Sequence, residues 1–286
     1  LKDKPHSLVA IDNVPNLEQR ETEEFIDRIR SLRAMGTGVF IACRPSNRLL
    51  IHGLGDSVKV NAQMLKVHAY EYSSWATAFS ISTSLDFYRL TQGVPELVSA
   101  LQTGMYGQGD VAGLLQNEIV NVYGAALADL ASLENNVLFT IACLMVLMGE
   151  GGIAELEACG VRLSMVDQSI FVRDYPIFGV DPVDRTFRCL GAEDNARLRL
   201  RKLVAEIRPE LVSRAARILI KAGRCDLAMD LADAFLDRHV VLELAGQYGA
   251  DLALTGHGGD VCRAASAMVD VDKQDRDVSR QQAFAA

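Results

Sequence analysis

Asp12 is the residue whose position most clearly suggests chemistry, because it directly follows the apolar segment Leu8-Val9-Ala10-Ile11. A buried parallel strand that ends in an acid brings a carboxylate to the C-terminal edge of its sheet. There the carboxylate can hold a Mg²⁺ ion bound to nucleotide phosphates, as in a Walker B strand. Many parallel strands end in aspartate, so a helix-capping or loop role for Asp12 remains an alternative.

A second candidate is Arg44, which follows the apolar segment Thr37–Cys43. A guanidinium at the end of a strand can reach a terminal phosphate and suits that planar contact. We predict buried strands at Ser7–Asn13 and Thr37–Cys43, with a helix at Glu18–Met35 ended by Gly36. Two strands joined by one helix predict a parallel sheet that carries both side chains at one edge.

The third candidate is the turn Gly93-Val94-Pro95. Pro95 lacks a backbone N–H, so it suits a helix start, and the turn would interrupt a helix predicted over Phe87–Leu101. Before this turn we predict a third short strand at Met64–Tyr70. We also predict a helix that begins near Trp75 and is capped by Ser73 or Ser74.

The remainder of the chain is predicted to be mostly helical. Gln102–Asp110 is glycine-rich and is typical of a linker. Three helices are then predicted, at Val111–Leu133, Asn135–Gly149 and Ile153–Cys159. Two β-rich pieces, Leu163–Val166 and Ser169–Val172, and the segment Tyr175–Val180 complete a winged-helix layout. Beyond about Asp184 we expect helices only, with a hairpin at Glu210–Phe235, a second at Val240–Ala267 and a polar tail from Asp270.

These motifs, in this order and spacing, resemble the STAND class of P-loop signal-transduction ATPases. Val111–Leu190 looks like the winged-helix domain of its maltose-regulator branch of LuxR-type regulators. The segments Arg208–Ala216 and Gly223–Met229 look like the start of that branch's helical repeats. The resemblance implies that Asp12, with Asn13, binds Mg²⁺ and ATP or ADP. It also implies that Arg44 senses phosphate and that the Gly93–Pro95 turn lies near the adenine.

The sequence departs from the family pattern in three ways. It contains no GxxxxGK[ST] phosphate loop, so we expect weak or absent nucleotide binding and no competent ATPase. Asn13 occupies a position that is usually a second acid, and an amide cannot act as a base toward water. No helix-turn-helix follows the repeats, so DNA contact would need a C-terminal module that this chain lacks. The abrupt start at Leu1 leads us to expect an upstream segment.

Composition narrows the classes of partner. The net charge of −8 argues against a broad nucleic-acid-binding face. The longest apolar run, Val137–Met148, is too short for a membrane span, and the chain has no signal peptide. None of the six cysteines forms a CxxC pair, which favours free buried thiols in a reducing cytoplasm.

Other polar residues have ordinary structural explanations. We interpret His68 as an edge or core histidine in the third strand, and His257 as part of a glycine-rich turn. His239 has no metal partner at helical spacing. The basic run Arg197–Lys202 alternates with leucine, which favours a solvated helix face over a phosphate site.

We therefore predict an α/β partial P-loop NTPase core followed by winged-helix-like and all-α repeat-like regions, mainly helical overall. The predicted boundaries are residues 1–104, 105–190, 191–269 and a tail at 270–286. The predicted function is nucleotide-dependent signal transduction in transcriptional regulation. The alternative is a non-catalytic scaffold that binds a protein partner or associates with itself, and neither hypothesis involves a membrane.

Overall fold

The protein is mainly helical in the computed structural model. The structure describes residues 7–78, 88, 91–106, 111–133, 136–235, 238–254, 256 and 258–259. The predicted tail at 270–286 lies outside the described residues. Strands β1 to β4 span Ser7–Val14, Thr37–Cys43, Glu150–Gly152 and Thr186–Arg188.

Twelve α-helices lie within the described ranges. They are α1 Gln19–Ala34, α2 Arg48–Gly53, α3 Ala69–Ala78, α4 Pro95–Tyr106, α5 Val111–Ala131, α6 Asn136–Met148, α7 Ile153–Ala158, α8 Met165–Asp174, α9 Asp194–Ile207, α10 Pro209–Lys221, α11 Cys225–Phe235 and α12 Arg238–Leu254. Two short 3-10 helices span Ala62–Leu65 and Pro176–Phe178.

The N-terminal β1-α1-β2 arrangement confirms the predicted parallel pair. β1 and β2 run parallel, in register from Ser7 opposite Thr37 to Ile11 opposite Ile41. Helix α1 begins after Glu18, whose side chain forms a reciprocal capping box with Glu21. With α2, these elements form residues 7–54, here called the α/β unit.

The prediction that β1 is a buried strand is wrong. Leu8 on β1 is 63% exposed and Phe40 on β2 is 65% exposed. Parallel sheets normally have both faces covered by helices. Within the described residues these two strands pair only with each other, and helix α1 covers the face that carries Ile11 and Ile41. The opposite face is therefore open to solvent.

Two separate hydrophobic cores divide the molecule. The small one is built on Val14, Ile26 and Leu50 and lies inside the α/β unit. The large one extends from Val94 to Leu252 and includes nearly all of helix α6. The described residues from 91 to 254 that surround this large core are here called the helical body. Burial therefore stabilises the helical body far more than the α/β unit.

Several local predictions fail because polar side chains cap helices. Leu163–Val166 and Ser169–Val172 are not strands, because Ser164 and Asp167 form a capping box that starts α8. Phe171 on α8 is fully buried. The segment Tyr175–Val180 continues this region with a 3-10 helix at Pro176–Phe178.

The region before the Gly93 turn also differs from the prediction. Met64–Tyr70 is not a strand, because the Asn61 side chain accepts a hydrogen bond from the Met64 N–H and starts a 3-10 helix. Helix α3 begins at Ala69 rather than near Trp75, with the Glu71 carboxylate accepting from the His68 N–H at 3.0 Å. Ser73 and Ser74 therefore lie inside α3 and do not cap it.

The middle of the chain shows which helix predictions hold. Gln102–Tyr106 is helical rather than linker, whereas residues 107–110 lie outside the described part. The helices predicted at Val111–Leu133, Asn135–Gly149 and Ile153–Cys159 are confirmed as α5, α6 and α7. Strands β3 and β4 pair antiparallel, so the region beyond Asp184 is not purely helical.

The C-terminal helices confirm one predicted hairpin. Helices α10 and α11 are joined at Gly223, whose φ is +75°. The second hairpin predicted at Val240–Ala267 is described only for helix α12 and a few positions after it.

The turn before α4 is held by glycine geometry. Gly93 is buried with a φ of +71°, and its carbonyl accepts a hydrogen bond from the Val67 N–H at 2.8 Å. Pro95 is the first residue of α4, which confirms its predicted place at a helix start. The turn therefore attaches the segment after the α/β unit to the helical body.

Replacement of Gly93 by alanine tests this turn. A Cβ at Gly93 would lie 2.0 Å from the Val67 carbonyl oxygen. We expect Gly93→Ala to lower the free energy of unfolding by roughly 2 kcal/mol or more. The control is Gly223→Ala, which has a similar φ but no atom within 4 Å of the new Cβ. It should cost only about 1 kcal/mol. Urea unfolding followed by circular dichroism gives the free energy of unfolding of both variants. Equal losses of that free energy would contradict the close contact at Gly93.

Candidate functional site

The carboxyl edge of the β1–β2 pair carries Asp12, Asn13 and Arg44. The register moves from Ile11 opposite Ile41 to Val14 opposite Cys43, so β1 contains one extra residue there. Asn13 lies in the left-handed region with a φ of 54°. Bulges and left-handed non-glycine residues are enriched next to functional sites. The first strand therefore ends in a bulge at the position predicted to bind metal.

Asp12 is exposed, and its carboxylate lies against the backbone of the next residue, Asn13. Its Oδ1 accepts a hydrogen bond from the Asn13 N–H at 2.8 Å. Within the part of the chain that the structure describes, no group of three or more His, Cys, Asp or Glu side chains is placed to hold a metal ion. Mg²⁺ commonly uses one or two carboxylates together with water and phosphate oxygens. Asp12 fits that kind of shared site, and not an all-protein metal cage.

Arg44 follows β2 directly and is exposed. No hydrogen bond or ion pair joins its guanidinium to another described residue. Its backbone carbonyl accepts from the Asn47 N–H at 3.0 Å, which folds residues 44–47 into a tight turn. The side chain is thus available to an anionic ligand at the edge where Asp12 lies.

The Gly93–Pro95 turn has different surroundings. Gly93 and Val94 are buried, and the hydrogen bonds described for the turn join it to Val67 and Thr91. No hydrogen bond among the described residues connects it to Asp12 or Arg44. The structure thus brings Asp12, Asn13 and Arg44 to one edge, whereas Gly93 serves a packing role.

A buried carboxylate, that of Asp129 on helix α5, lies against this edge. Asp129 is only 4% exposed. Its Oδ2 accepts hydrogen bonds from the Tyr175 hydroxyl at 2.6 Å and the Ser46 N–H at 3.3 Å. The Ser46 hydroxyl donates to its Oδ1. The Asn16 amide donates to Ser46 Oγ at 3.0 Å. We call Asp129, Ser46, Tyr175 and Asn16 the Asp129 network.

Two asparagines fix the loops that follow the strands. The Asn16 Nδ2 group also lies 3.3 Å from Ser132 Oγ on the helical body. Asn47 is 4% exposed, and its amide donates to the Pro15 carbonyl at 2.9 Å. The loops after β1 and β2 are therefore bonded to each other and to the helical body.

Burial and the charge of Asp129 raise the pKa of two neighbouring groups, the Tyr175 hydroxyl and the Cys43 thiol. The pKa of the Tyr175 hydroxyl is raised well above its usual range, first by burial and then by its hydrogen bond to Asp129. Arg48 opposes this shift in part. Tyr175 therefore stays a neutral hydrogen-bond donor at physiological pH. Burial, and secondly Asp129, also raise the pKa of the Cys43 thiol.

The sequence-based interpretation missed Asp129, Ser46 and Tyr175. Asp129 is the only acid between Glu118 and Glu134, in a helix whose buried side chains include Tyr123 and Leu127. An acid in the apolar second half of this helix was the available signal. Its partners lie 83 and 46 residues away in sequence, so spacing could not identify them.

The structure describes two of the three histidines singled out in the sequence. His68 is not in a strand, and its ring stacks on Tyr70 with centroids 5.5 Å apart. His239 lies in α12, and His257 lies outside the described residues.

The prediction of a solvated face for Arg197–Lys202 is wrong for Arg201. Arg201 is 7% exposed, and its Nε donates to the Leu147 carbonyl at 3.0 Å. Arg224 donates to the neighbouring Met148 carbonyl at 3.0 Å. Cations satisfy the terminal carbonyls of a helix and its dipole. These arginines therefore attach α9 and the α10–α11 hairpin to the end of α6.

The thiols largely agree with the prediction. Cys143, Cys159, Cys189 and Cys225 are free and buried, and Cys43 is half-buried. Burial raises the pKa of Cys143 and of Cys189 to about 12. Cys262 lies outside the described residues. Among the helices that the structure describes, none has the length and apolar character needed to cross a bilayer.

The Cys43 thiol reports the charge of Asp129. A neighbouring carboxylate disfavours the thiolate, so Asp129→Asn should lower the Cys43 pKa. The pH midpoint of Cys43 alkylation, followed by mass spectrometry, should then move to lower pH. Burial remains the larger cause, so the shift is partial. Asp27→Asn changes the net charge equally at an exposed residue paired with Arg30 and should leave the midpoint unchanged. An unchanged midpoint in Asp129→Asn would contradict the arrangement.

Comparison with known proteins does not extend this description. The chain matches no protein-family model. It has no significant match among curated proteins. The functional argument therefore rests on the geometry of the carboxyl edge and on the residues packed behind it.

Proposed function

We propose that this chain belongs to a nucleotide-dependent signal-transduction regulator of the kind its motifs resemble, the STAND ATPases of LuxR-type transcriptional regulators. The observation that carries the proposal is the bulged end of β1. It lies beside the end of β2 and places exposed Asp12 at the same sheet edge as exposed Arg44. A carboxylate for Mg²⁺ and a guanidinium for phosphate are a complementary pair for ATP or ADP.

The residues at this edge support binding rather than hydrolysis. Asp12 would share a Mg²⁺ ion with phosphate oxygens, and Arg44 would contact a terminal phosphate. Asn13 has no basic group to activate water. No GxxxxGK[ST] segment supplies the backbone amides and lysine that hold β- and γ-phosphates elsewhere. Nucleotide in this chain would thus act as a regulatory ligand.

The Gly93–Pro95 turn is the proposed contact for the adenine base. Gly93 is buried against Val67, so it has little surface for a ligand. Pro95 is half-buried and is the member of the turn that retains exposed apolar surface. We propose that Pro95 contacts the adenine when nucleotide is bound.

Regulation would arise from a change in packing between the α/β unit and the helical body. We propose that the predicted winged-helix-like region, Val111–Leu190 in the helical body, is the part whose packing against the α/β unit changes. A ligand shifts such an equilibrium only if it binds the two arrangements differently.

A second candidate function is a protein-interaction scaffold. The observation that favours it is the open sheet face with Leu8 and Phe40 exposed. Among the described residues, no strand other than β2 pairs with β1, and an unpaired strand edge invites association with another chain. On this hypothesis, the chain acts by binding a protein partner or by associating with itself, and no nucleotide binds at the carboxyl edge.

Nucleotide titration separates the two functions. We expect Mg-ATP and Mg-ADP to bind with a Kd weaker than about 100 μM, roughly −5.5 kcal/mol. Isothermal calorimetry should show binding lost in Arg44→Ala and in Asp12→Ala. Arg20→Ala is the matched control, because Arg20 is an exposed arginine of the same unit that pairs with Glu24.

Four results would contradict this account. If several millimolar nucleotide gives no detectable binding, the scaffold function is favoured. Binding that Arg44→Ala does not weaken would favour the scaffold as well. Low-micromolar binding lost in Arg44→Ala would show a stronger site than the exposed pair explains. Steady-state ATP hydrolysis that disappears in Asp12→Ala would show that the edge is catalytic.

A further inference from the structure

The α/β unit and the helical body meet at polar groups. Their hydrophobic cores are separate. The Asp129 network joins them, because Ser46 and Asn16 come from the α/β unit while Asp129 and Tyr175 come from the helical body. Among the described residues, hydrogen bonds from Ser46 to the Asp129 carboxylate and from Asn16 to Ser132 cross this junction.

The chemistry of that carboxylate makes the junction selective. A buried ionised carboxylate is strongly destabilising unless donors replace its water shell. Ser46 provides two of the donors, its hydroxyl and its N–H, and Tyr175 provides a third. If the α/β unit moves away, Asp129 loses the two donors of Ser46 together. Hydrogen bonds to charged groups are worth more than neutral ones, so the docked arrangement is favoured.

The Asp129 network is also mechanically close to Arg44. Arg44 and Ser46 belong to one tight turn, in which the Asn47 N–H donates to the Arg44 carbonyl at 3.0 Å. The Arg48 N–H donates to the Ser46 carbonyl at 2.7 Å. A displacement of Arg44 by a bound anion therefore moves the Ser46 donors that face Asp129.

We infer that Asp129, Ser46 and Tyr175 hold the α/β unit on the helical body and transmit the position of the Arg44 turn to helix α5. Asp129 and Tyr175 are positioning residues, since Asp129 contacts Ser46 and Tyr175 acts through its hydrogen bond to Asp129. The first half of the inference stands on the contacts alone. The second half, transmission of a ligand signal, rests on the nucleotide function proposed above.

Hydrogen–deuterium exchange with a pair of tyrosine variants tests the attachment. Tyr175→Phe removes only the hydroxyl that donates to Asp129. The control Tyr123→Phe removes a buried hydroxyl that bonds the Ile177 and Leu190 carbonyls inside the helical body. Exchange in residues 7–54 should become on the order of tenfold faster in Tyr175→Phe. In Tyr123→Phe, exchange should become faster in the helical body, whereas exchange in residues 7–54 should match that of the unaltered chain.

Ser46→Ala provides an independent variant, because it removes a donor from the other side of the junction and creates little strain. It should reproduce the faster exchange of residues 7–54. If residues 7–54 exchange at the same rate in Tyr175→Phe, in Ser46→Ala and in the unaltered chain, the attachment role is overturned.

The transmission is tested on the unaltered chain with Mg-ATP, with binding measured by calorimetry on the same sample. We expect exchange to change both at residues 44–54 and around Asp129, and expect Arg44→Ala to abolish both changes. Binding without a change around Asp129 overturns transmission. Absence of binding overturns the proposed function and transmission with it, while the exchange result for Tyr175→Phe still decides the attachment.

Discussion

The buried carboxylate of Asp129 imposes the constraint on which the arrangement of this molecule depends. A charge removed from water must find donors, and here they come from Tyr175 in the helical body and Ser46 in the α/β unit. The constraint fixes the loop after β2, and therefore Arg44. Hydrogen bonds around one carboxylate thus orient the sheet edge that carries the candidate ligand residues.

This polar junction matters because the two units differ in how they are stabilised. Helix α6 is buried along almost its whole length, and arginines from α9 and from the α10–α11 hairpin satisfy the carbonyls at its end. The α/β unit has a small core around Ile26 and Leu50, and one face of its sheet is open. A body with a large buried core joined to a weakly packed unit is a suitable arrangement for a ligand-dependent change in packing.

Local signals in the sequence predicted the helices and the parallel strand pair well. The acid-rich start of α1, Gly36 after it and the apolar segment Thr37–Cys43 are near-neighbour features, so spacing suffices to identify them. The prediction of strands failed at Leu163–Val166, where the Ser164–Asp167 capping box starts a helix. It also failed for burial of β1, because burial depends on what packs against a strand.

In the candidate site, too, features set by neighbouring residues were predictable and features set by packing were not. Asp12, Asn13 and Arg44 were identifiable because each lies at the end of an apolar strand segment, and the structure places them at one edge. The Gly93–Pro95 turn was recognised as a turn, but its contact with Val67 was not. The Asp129 network could not be predicted, because its hydrogen bonds join residues from distant parts of the chain.

The most direct test of the account is a double-mutant cycle between Ser46→Ala and Asp129→Asn. The free energy of unfolding is measured for the unaltered chain, both single variants and the double variant. If the carboxylate and Ser46 are energetically linked across the junction, the cycle should give a coupling energy of about 1–3 kcal/mol. Additive effects, with a coupling energy below about 0.5 kcal/mol, would show that the two units are not held together by Asp129.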